Sequence, residues 1–176
     1  MKSTGVVRRI DDLGRIVIPK EIRRTMRIKD GENLEIFVDK EMITLKKFSK
    51  MGDIEDISDQ LVNIIYNNIK KDILITDRDK IIACSNSLKK SFMLKNISKY
   101  LESIIEKRTK IVESSLTNIE LVENEVNKFS YIIYPINVNG DIMGLFIILS
   151  SSDNISTIDE KIANIVSQFL EKYLEE

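Results

Sequence analysis

The 176-residue sequence contains no histidine and a single cysteine, Cys84. Without histidine the chain lacks the usual general base near neutral pH and the commonest metal ligand. One thiol can form no disulfide within the chain and makes no zinc site, so neither a covalent staple nor a structural metal is expected. Cys84 lies in an apolar run and reads as a buried structural residue, suited to a reducing compartment. No G-x-x-x-x-G-K-S/T loop and no dinucleotide fingerprint occurs. Asp77 and Asp79 flank Arg78 in a turn, where aspartates serve the backbone rather than catalysis. These absences point away from an enzyme and from any cofactor. Long apolar runs are missing too. The uncharged stretch Ile142 to Leu149 is too short to span a bilayer, and the opening MKSTGVVRR lacks the apolar core of a signal peptide. The expectation is a soluble, cytoplasmic protein with no membrane partner.

What is present is segregated charge. Residues 1–50 hold 13 basic and 8 acidic side chains, net +5, whereas residues 51–176 hold 14 and 20, net −6. The whole-chain charge of −1 hides this polarity, which suits a basic module joined to an acidic partner domain. The charge concentrates in residues 5–27, GVVRRIDDLGRIVIPKEIRRTMR. Asp and Gly in Asp11-Asp12-Leu13-Gly14 favour a turn, with a short strand expected on each side. Pro19 suits the first position of a following helix, where its missing N–H costs nothing. At about 100° per residue, Ile22 and Met26 share one face, and Lys20, Arg23, Arg24 and Arg27 fall in a sector of about 100° on the other side. With Arg8 and Arg9 before the turn and Arg15 after it, seven cations form a candidate surface for double-stranded DNA. Charge runs usually only solvate a surface, but these gather on one helix face and one turn instead of alternating with acids.

Residues 31–47 complete the module as a hairpin. Leu34, Ile36 and Val38 alternate with Glu35, Phe37 and Asp39, a polar Asp39-Lys40-Glu41 turn follows, and Ile43 and Leu45 alternate again. Four short strands and one short helix in about 50 residues lie below the size at which one core is comfortably stable without a staple. Closing the apolar strand faces of two chains on each other is the remaining route, so a homodimer is expected.

The sequence changes character around residues 48–55, FSKMGDIE, where Asp53 can cap a helix. The domains are therefore 1–50 and 51–176. Ile57, Leu61, Ile64, Ile65 and Ile69 give an amphipathic helix over 54–70. The last twenty residues repeat the design, with Thr157 and Glu160 at capping-box spacing and Ile158, Ile162, Ile165, Val166, Phe169, Leu170 and Tyr173 in a broad stripe. Such a stripe exceeds what one sheet covers easily. Ile57, Leu61, Ile64, Ile65, Ile158, Ile162, Ile165, Phe169 and Tyr173 are accordingly candidates for a helical contact between subunits. Between these helices lie two hairpins: ILIT to KIIAC around Asp77–Asp79, and SYIIYPINV to DIMGLFIIL around Asn139-Gly140. Ile97, Leu101, Ile104 and Ile105 predict a helix over 96–108, and 109–125 fits no single period. The fold class is α+β.

The string LGRIVIPKEIRR, with Asp11-Asp12 and Arg8-Arg9 before it, resembles the N-terminal domain of AbrB-type bacterial transition-state regulators, which are swapped-hairpin DNA-binding dimers. That resemblance implies DNA contacts at Arg8, Arg15, Arg23 and Arg24, with Arg9 where a basic residue is usual. Lys20 and Arg27 come from the helical wheel alone. Residues 51–176, with Pro135, Gly140 and Gly144 on the last hairpin, resemble a GAF domain with flanking helices. The fusion at this length resembles sporulation regulators of endospore-forming bacteria. It implies a nucleoid-associated regulator of late forespore genes, active as a homotetramer in which GAF-like helices pair two dimers, with an effector of unspecified chemistry. GAF-like enzymes that reduce sulfoxides need several positioned cysteines, which this chain lacks. Tyr100, Phe129 and Tyr131 suit a core as readily as a ligand site. Two other readings stand beside this one. An antitoxin-like swapped-hairpin protein would wrap a protein partner with its C-terminal region, and a ligand sensor or scaffold would carry its basic dimer incidentally.

Overall fold

The computed structural model describes residues 5–48, 51, 54–152 and 155–175. The chain divides into two units, Met1–Phe48 and Ser49–Glu176. In the first, the Asp11 carboxylate accepts the N–H groups of Leu13 at 3.0 Å and Arg15 at 2.8 Å, and Gly14 takes φ +75°. An aspartate bonding the backbone ahead of it and a glycine in left-handed conformation are what fix such a turn. Helix α1 (Lys20–Thr25) follows. Pro19 precedes its first residue instead of filling it, with φ −57° and ψ 146°, and the Pro19 carbonyl accepts the Arg23 N–H at 3.0 Å. The ring thus presets the entry one position earlier than expected. The helix closes at Met26, and Arg27 sits at φ 53°. Arg27 therefore lies beyond the helix, and its place on the helical wheel does not hold.

Strands β1 (Leu34–Asp39) and β2 (Met42–Lys47) form the expected hairpin, with Ile36 opposite Leu45 and Val38 opposite Ile43. Lys40 supplies the positive φ of its turn. Lys47 Nζ ties the hairpin to the loop after α1, donating to the Arg27 carbonyl at 3.2 Å and pairing with Glu32 at 3.0 Å. The strands expected on either side of Asp11–Gly14 are not formed in the single chain. A strand needs a hydrogen-bonded neighbour, and β1 and β2 pair with each other. The bonds from Asp11 N–H to the Arg15 carbonyl and from Gly14 N–H to the Asp11 carbonyl close the turn without extending it into a ladder.

The second unit runs α2 (Glu55–Ile69), β3 (Asp72–Thr76), β4 (Ile81–Cys84), α3 (Asn86–Phe92), α4 (Lys99–Lys107), β5 (Ile111–Val122), β6 (Glu125–Val138), β7 (Asp141–Ser150), α5 (Thr157–Glu175). Its strands make one antiparallel sheet in the order β4-β3-β7-β6-β5. Both faces are covered, which is why strands such as ILIT and LFIIL read as continuous apolar runs. Ile73, Ile75, Ile132, Tyr134, Phe146 and Ile148 pack under α2 and α5, together with Val62, Ala163 and Leu170. The alternate residues Leu74, Tyr131, Ile133, Leu145 and Ile147 pack on the other face with Phe92, Leu101 and Ile104 from α3 and α4.

Local features follow their residues. Asn139 at φ 52° and Gly140 at φ 90° make the β6–β7 turn, with both central residues left-handed as a two-residue hairpin requires. Pro135 lies past Ile133, the last β6 residue paired with β5, where β6 has a neighbour strand on one side only. Gly144 has no room for a side chain, since a Cβ there would lie 1.9 Å from the Thr76 carbonyl oxygen. The cap of α5 falls one residue before the expected one. Ser156 and Asp159 bond reciprocally, Asp159 Oδ2 accepting the Ser156 N–H at 2.7 Å and hydroxyl at 2.6 Å, and the Ser156 hydroxyl accepting the Asp159 N–H at 3.3 Å. The proposed cap of α2, Asp53, lies outside the described residues.

Candidate nucleic-acid interface

The seven candidate cations of the first unit fall into three groups. Arg8 and Arg9 precede the Asp11 turn and are exposed, as are Lys20 and Arg24 on α1. Arg15 and Arg23 are each held by an acid: Arg15 Nε donates to Asp11 Oδ2 at 2.7 Å, and Arg23 Nη1 to Asp30 Oδ1 at 2.6 Å. Arg27, left-handed and half-buried, lies apart from the helical group. Lys20, Arg23 and Arg24 thus lie on the expected helix, Arg8, Arg9 and Arg15 flank the expected turn, and Arg27 lies beyond the helix. The acids escaped the sequence reading. Asp11 was legible only as a turn former, although its spacing of four residues from Arg15 and the glycine between them was the available signal. The bonds from the Arg15 N–H and side chain, and then from the Leu13 N–H, hold the Asp11 carboxyl below the ordinary aspartate value.

Around this surface the unit buries little. Among described residues 5–48 no side chain is fully buried. Val7, Val38 and Ile43 are 87%, 73% and 71% exposed. Ile36, Val38 and Ile43 lie on one face of the hairpin by their cross-strand register.

On the second unit the structure divides the nine helix residues expected to face a partner. Ile65 belongs to the core, and Ile57, Leu61 and Ile162 are half-buried against it. Ile65's place in a subunit contact is corrected to a place in this domain's own core, because the sheet below draws in the inner edge of the stripe, while Ile57, Leu61 and Ile162 lean on that core and keep part of their surface. Ile64, Ile158, Ile165, Phe169 and Tyr173 are exposed. Four of these lie along α5, and Phe169 and Tyr173 stack with ring centroids 6.1 Å apart.

Cys84 is buried, and burial pushes its thiol up to about 11, so it carries little thiolate. Asp77 Oδ1 accepts the N–H groups of Asp79 and Lys80, both at 2.7 Å, as a turn aspartate does. Phe129 and Tyr131 belong to the core under α3 and α4, and the Tyr131 hydroxyl lies 3.3 Å from that of Tyr100. Among the described residues no group of three His, Cys, Asp or Glu is placed to hold a metal, and no helix is long and apolar enough to cross a membrane.

Comparison with known proteins divides the chain at nearly the same place. Residues 53–175 match the family described as stage V sporulation protein T C-terminal, transcription factor. Residues 7–52 match the family described as antidote-toxin recognition MazE, bacterial antitoxin. The sequence is 40% identical over 178 aligned residues to stage V sporulation protein T of Bacillus subtilis (strain 168), covering all of both chains. Over 48 residues it is 60% identical to transition state regulatory protein AbrB of the same organism, covering 27% of this chain and 50% of that protein. Among solved structures it is similar to the GAF domain of an Acinetobacter phosphoenolpyruvate-protein phosphotransferase, with a TM-score of 0.54 at 12% identity over 69% of this chain and 81% of that one. The last likeness is one of fold, and it makes the second unit GAF-like.

Proposed function

The chain belongs to the stage V sporulation protein T family, and we infer from that membership that residues 5–27 are its DNA-binding surface. It is a DNA-binding transcription regulator of sporulation. The observation that carries the site is the set of exposed arginines in a +5 module that is 60% identical to AbrB over 48 residues. Arg8, Arg15, Arg23 and Arg24 are proposed as phosphate contacts, supported by Arg9 and Lys20. Arginines around a turn and on a six-residue helix can follow backbone and groove width without a long recognition helix, so sequence preference should be modest.

The functional unit is proposed to be a homotetramer. Exposed Val7, Ile36, Val38 and Ile43 support closure of two N-terminal units on each other, which would give residues flanking the Asp11 turn the ladder partners they need. The exposed stripe Ile158, Ile165, Phe169 and Tyr173 supports pairing of two such dimers through α5, and exposed Ile64 of α2 is proposed for the same role. Late forespore genes are the proposed targets, supported by full-length similarity to the sporulation protein. The antitoxin reading draws on the MazE-type match to residues 7–52. Against it, residues 55–175 form a sheet covered on both faces rather than a tail that would wrap a partner.

The test is DNA binding by full-length protein and by the Arg23→Ala/Arg24→Ala variant across a salt series, with molecular mass measured in parallel. Four arginines per chain in a dimer bound the slope of log K against log salt at roughly −7. The expected result is a steep slope, with binding lost in the double variant at unchanged mass. Weak binding indifferent to these arginines would sink the reading in favour of a protein partner.

A further inference from the structure

Asp11 has the wrong sign for a phosphate-binding surface, yet the turn is built on it. Its Oδ1 accepts the N–H groups of Leu13 at 3.0 Å and Arg15 at 2.8 Å, and its Oδ2 accepts Arg15 Nε at 2.7 Å. The first two bonds shape the loop, and the third fixes the guanidinium. Holding an arginine by Nε engages one edge of the group and leaves Nη1 and Nη2, the pair of donors that a phosphate takes in fork geometry. The Arg15 side chain is 70% exposed, so those donors are open to solvent.

Arg23 shows the opposite arrangement on the same unit. Asp30 takes its Nη1 at 2.6 Å, at the end a phosphate would use, while Arg23 Nε is buried and bonds nothing among the described residues. Asp30 therefore occupies part of the end a phosphate would use, whereas Asp11 can keep Nε while a phosphate binds beyond it. Two acids of equal charge thus stand in different relations to their arginines.

We propose that Asp11 is a positioning residue for DNA binding, holding the Arg15 guanidinium by its Nε edge so that both Nη groups are presented to a phosphate. The proposal rests on the reading of Arg15 as a DNA contact. A long side chain restrained before binding loses less freedom when it binds, so the restraint favours the complex. Simple charge counting predicts the reverse, since removing a carboxylate from a DNA-facing surface should strengthen binding.

The experiment measures binding of the full-length protein to a fluorescein-labelled mixed-sequence duplex for wild type, Arg15→Ala, Asp11→Asn, Asp11→Asn/Arg15→Ala, Arg15→Lys and Asp30→Asn. Asparagine keeps the acceptor that shapes the loop but cannot accept from Nε, and lysine keeps the charge without an Nε edge. Arg15→Ala should weaken binding about tenfold. Asp11→Asn should weaken it roughly two- to fivefold despite the added positive charge, and Arg15→Lys by a similar factor. In the Arg15→Ala background, Asp11→Asn should no longer weaken binding, and Asp30→Asn alone should leave binding equal or tighter. Tighter binding by Asp11→Asn, a weakening that persists without Arg15, or wild-type affinity in Arg15→Lys overturns the proposal while leaving Arg15 as a contact. Wild-type affinity in Arg15→Ala overturns both the proposal and the reading beneath it.

Discussion

The two units of this chain solve the problem of stability in opposite ways. The C-terminal unit wraps one five-stranded sheet with helices on both faces and buries side chains as large as Phe146, Leu101 and Ile132 completely. The N-terminal unit, over described residues 5–48, buries none completely and leaves Val7, Val38 and Ile43 mostly in solvent. Apolar area removed from water contributes about 25 cal/mol per Å², so the first design can stand on its own core and the second depends on a further surface. The contrast teaches where assembly is a condition of folding and where it is an addition to it.

The most damaging way to break the contrast is to charge the apolar hairpin face. Val38→Asp and Ile43→Asp should abolish N-terminal pairing and lower DNA affinity on the order of a hundredfold, because one module alone makes half the phosphate contacts of a dimer. The C-terminal unfolding transition should survive almost unchanged. A parallel loss of that transition in denaturant melts would mean the units are not separate in stability.

Gly144 sharpens the comparison from the other side, since it tests the self-sufficient unit. The Gly144→Ala methyl would meet the Thr76 carbonyl oxygen at 1.9 Å, and backbone has no rotamer by which to escape. We expect a loss of about 3 kcal/mol or more in the C-terminal transition, or failure to fold. A loss below about 0.5 kcal/mol would show that β3 and β7 can separate cheaply at this point.

How far each unit could be read from sequence follows the same division. Hairpins and long helices of the C-terminal unit were legible because their signals are local: Asn139-Gly140, the DRD turn and the stripes of α2 and α5. Strand β5 was not, because its register with β6 shifts between Glu113 and Thr117 and breaks the period of two. Helix α3 is seven residues long and offers too few turns for a stripe. In the N-terminal unit the hairpin β1–β2 was legible, whereas the strands expected beside the Asp11 turn have no neighbour to pair with in the single chain. The cation positions were legible as charge. The Asp11 and Asp30 pairings were not, because they depend on rotamers and loop geometry.

A change in assembly rather than in folding separates residues that the stripes of α2 and α5 had grouped together. Ile65→Asp places a carboxylate in the core and should unfold the C-terminal unit. Ile165→Asp and Phe169→Asp, at 64% and 44% exposed positions, should instead reduce the particle mass while preserving the circular dichroism spectrum. Unchanged mass by light scattering for both would remove α5 from the subunit contact.

The smallest effect is a pH dependence confined to the C-terminal unit, where two buried aspartates pull in opposite directions. Burial alone would raise Asp159, but hydrogen bonds from Lys71 Nζ at 2.5 Å and from the hydroxyl and N–H of Ser156 outweigh it and leave the carboxyl below its ordinary value of 3.8. A lowered folded value means the unfolded chain binds the proton first. The stabilisation from Asp159 is therefore complete above 3.8 and is lost as pH falls through the lower folded value. Asp77 is raised, because burial outweighs the bonds from the Asp79 and Lys80 N–H groups. Its contribution is present below 3.8 and lost as pH rises through its raised folded value. Urea midpoints of the C-terminal transition should show the deficit of Asp159→Asn relative to wild type shrinking as pH falls through this range. Asp77→Asn, which keeps the turn acceptor, should gain on wild type as pH rises. A common sign for the two variants would mean that the Lys71 pair does not offset the burial of Asp159.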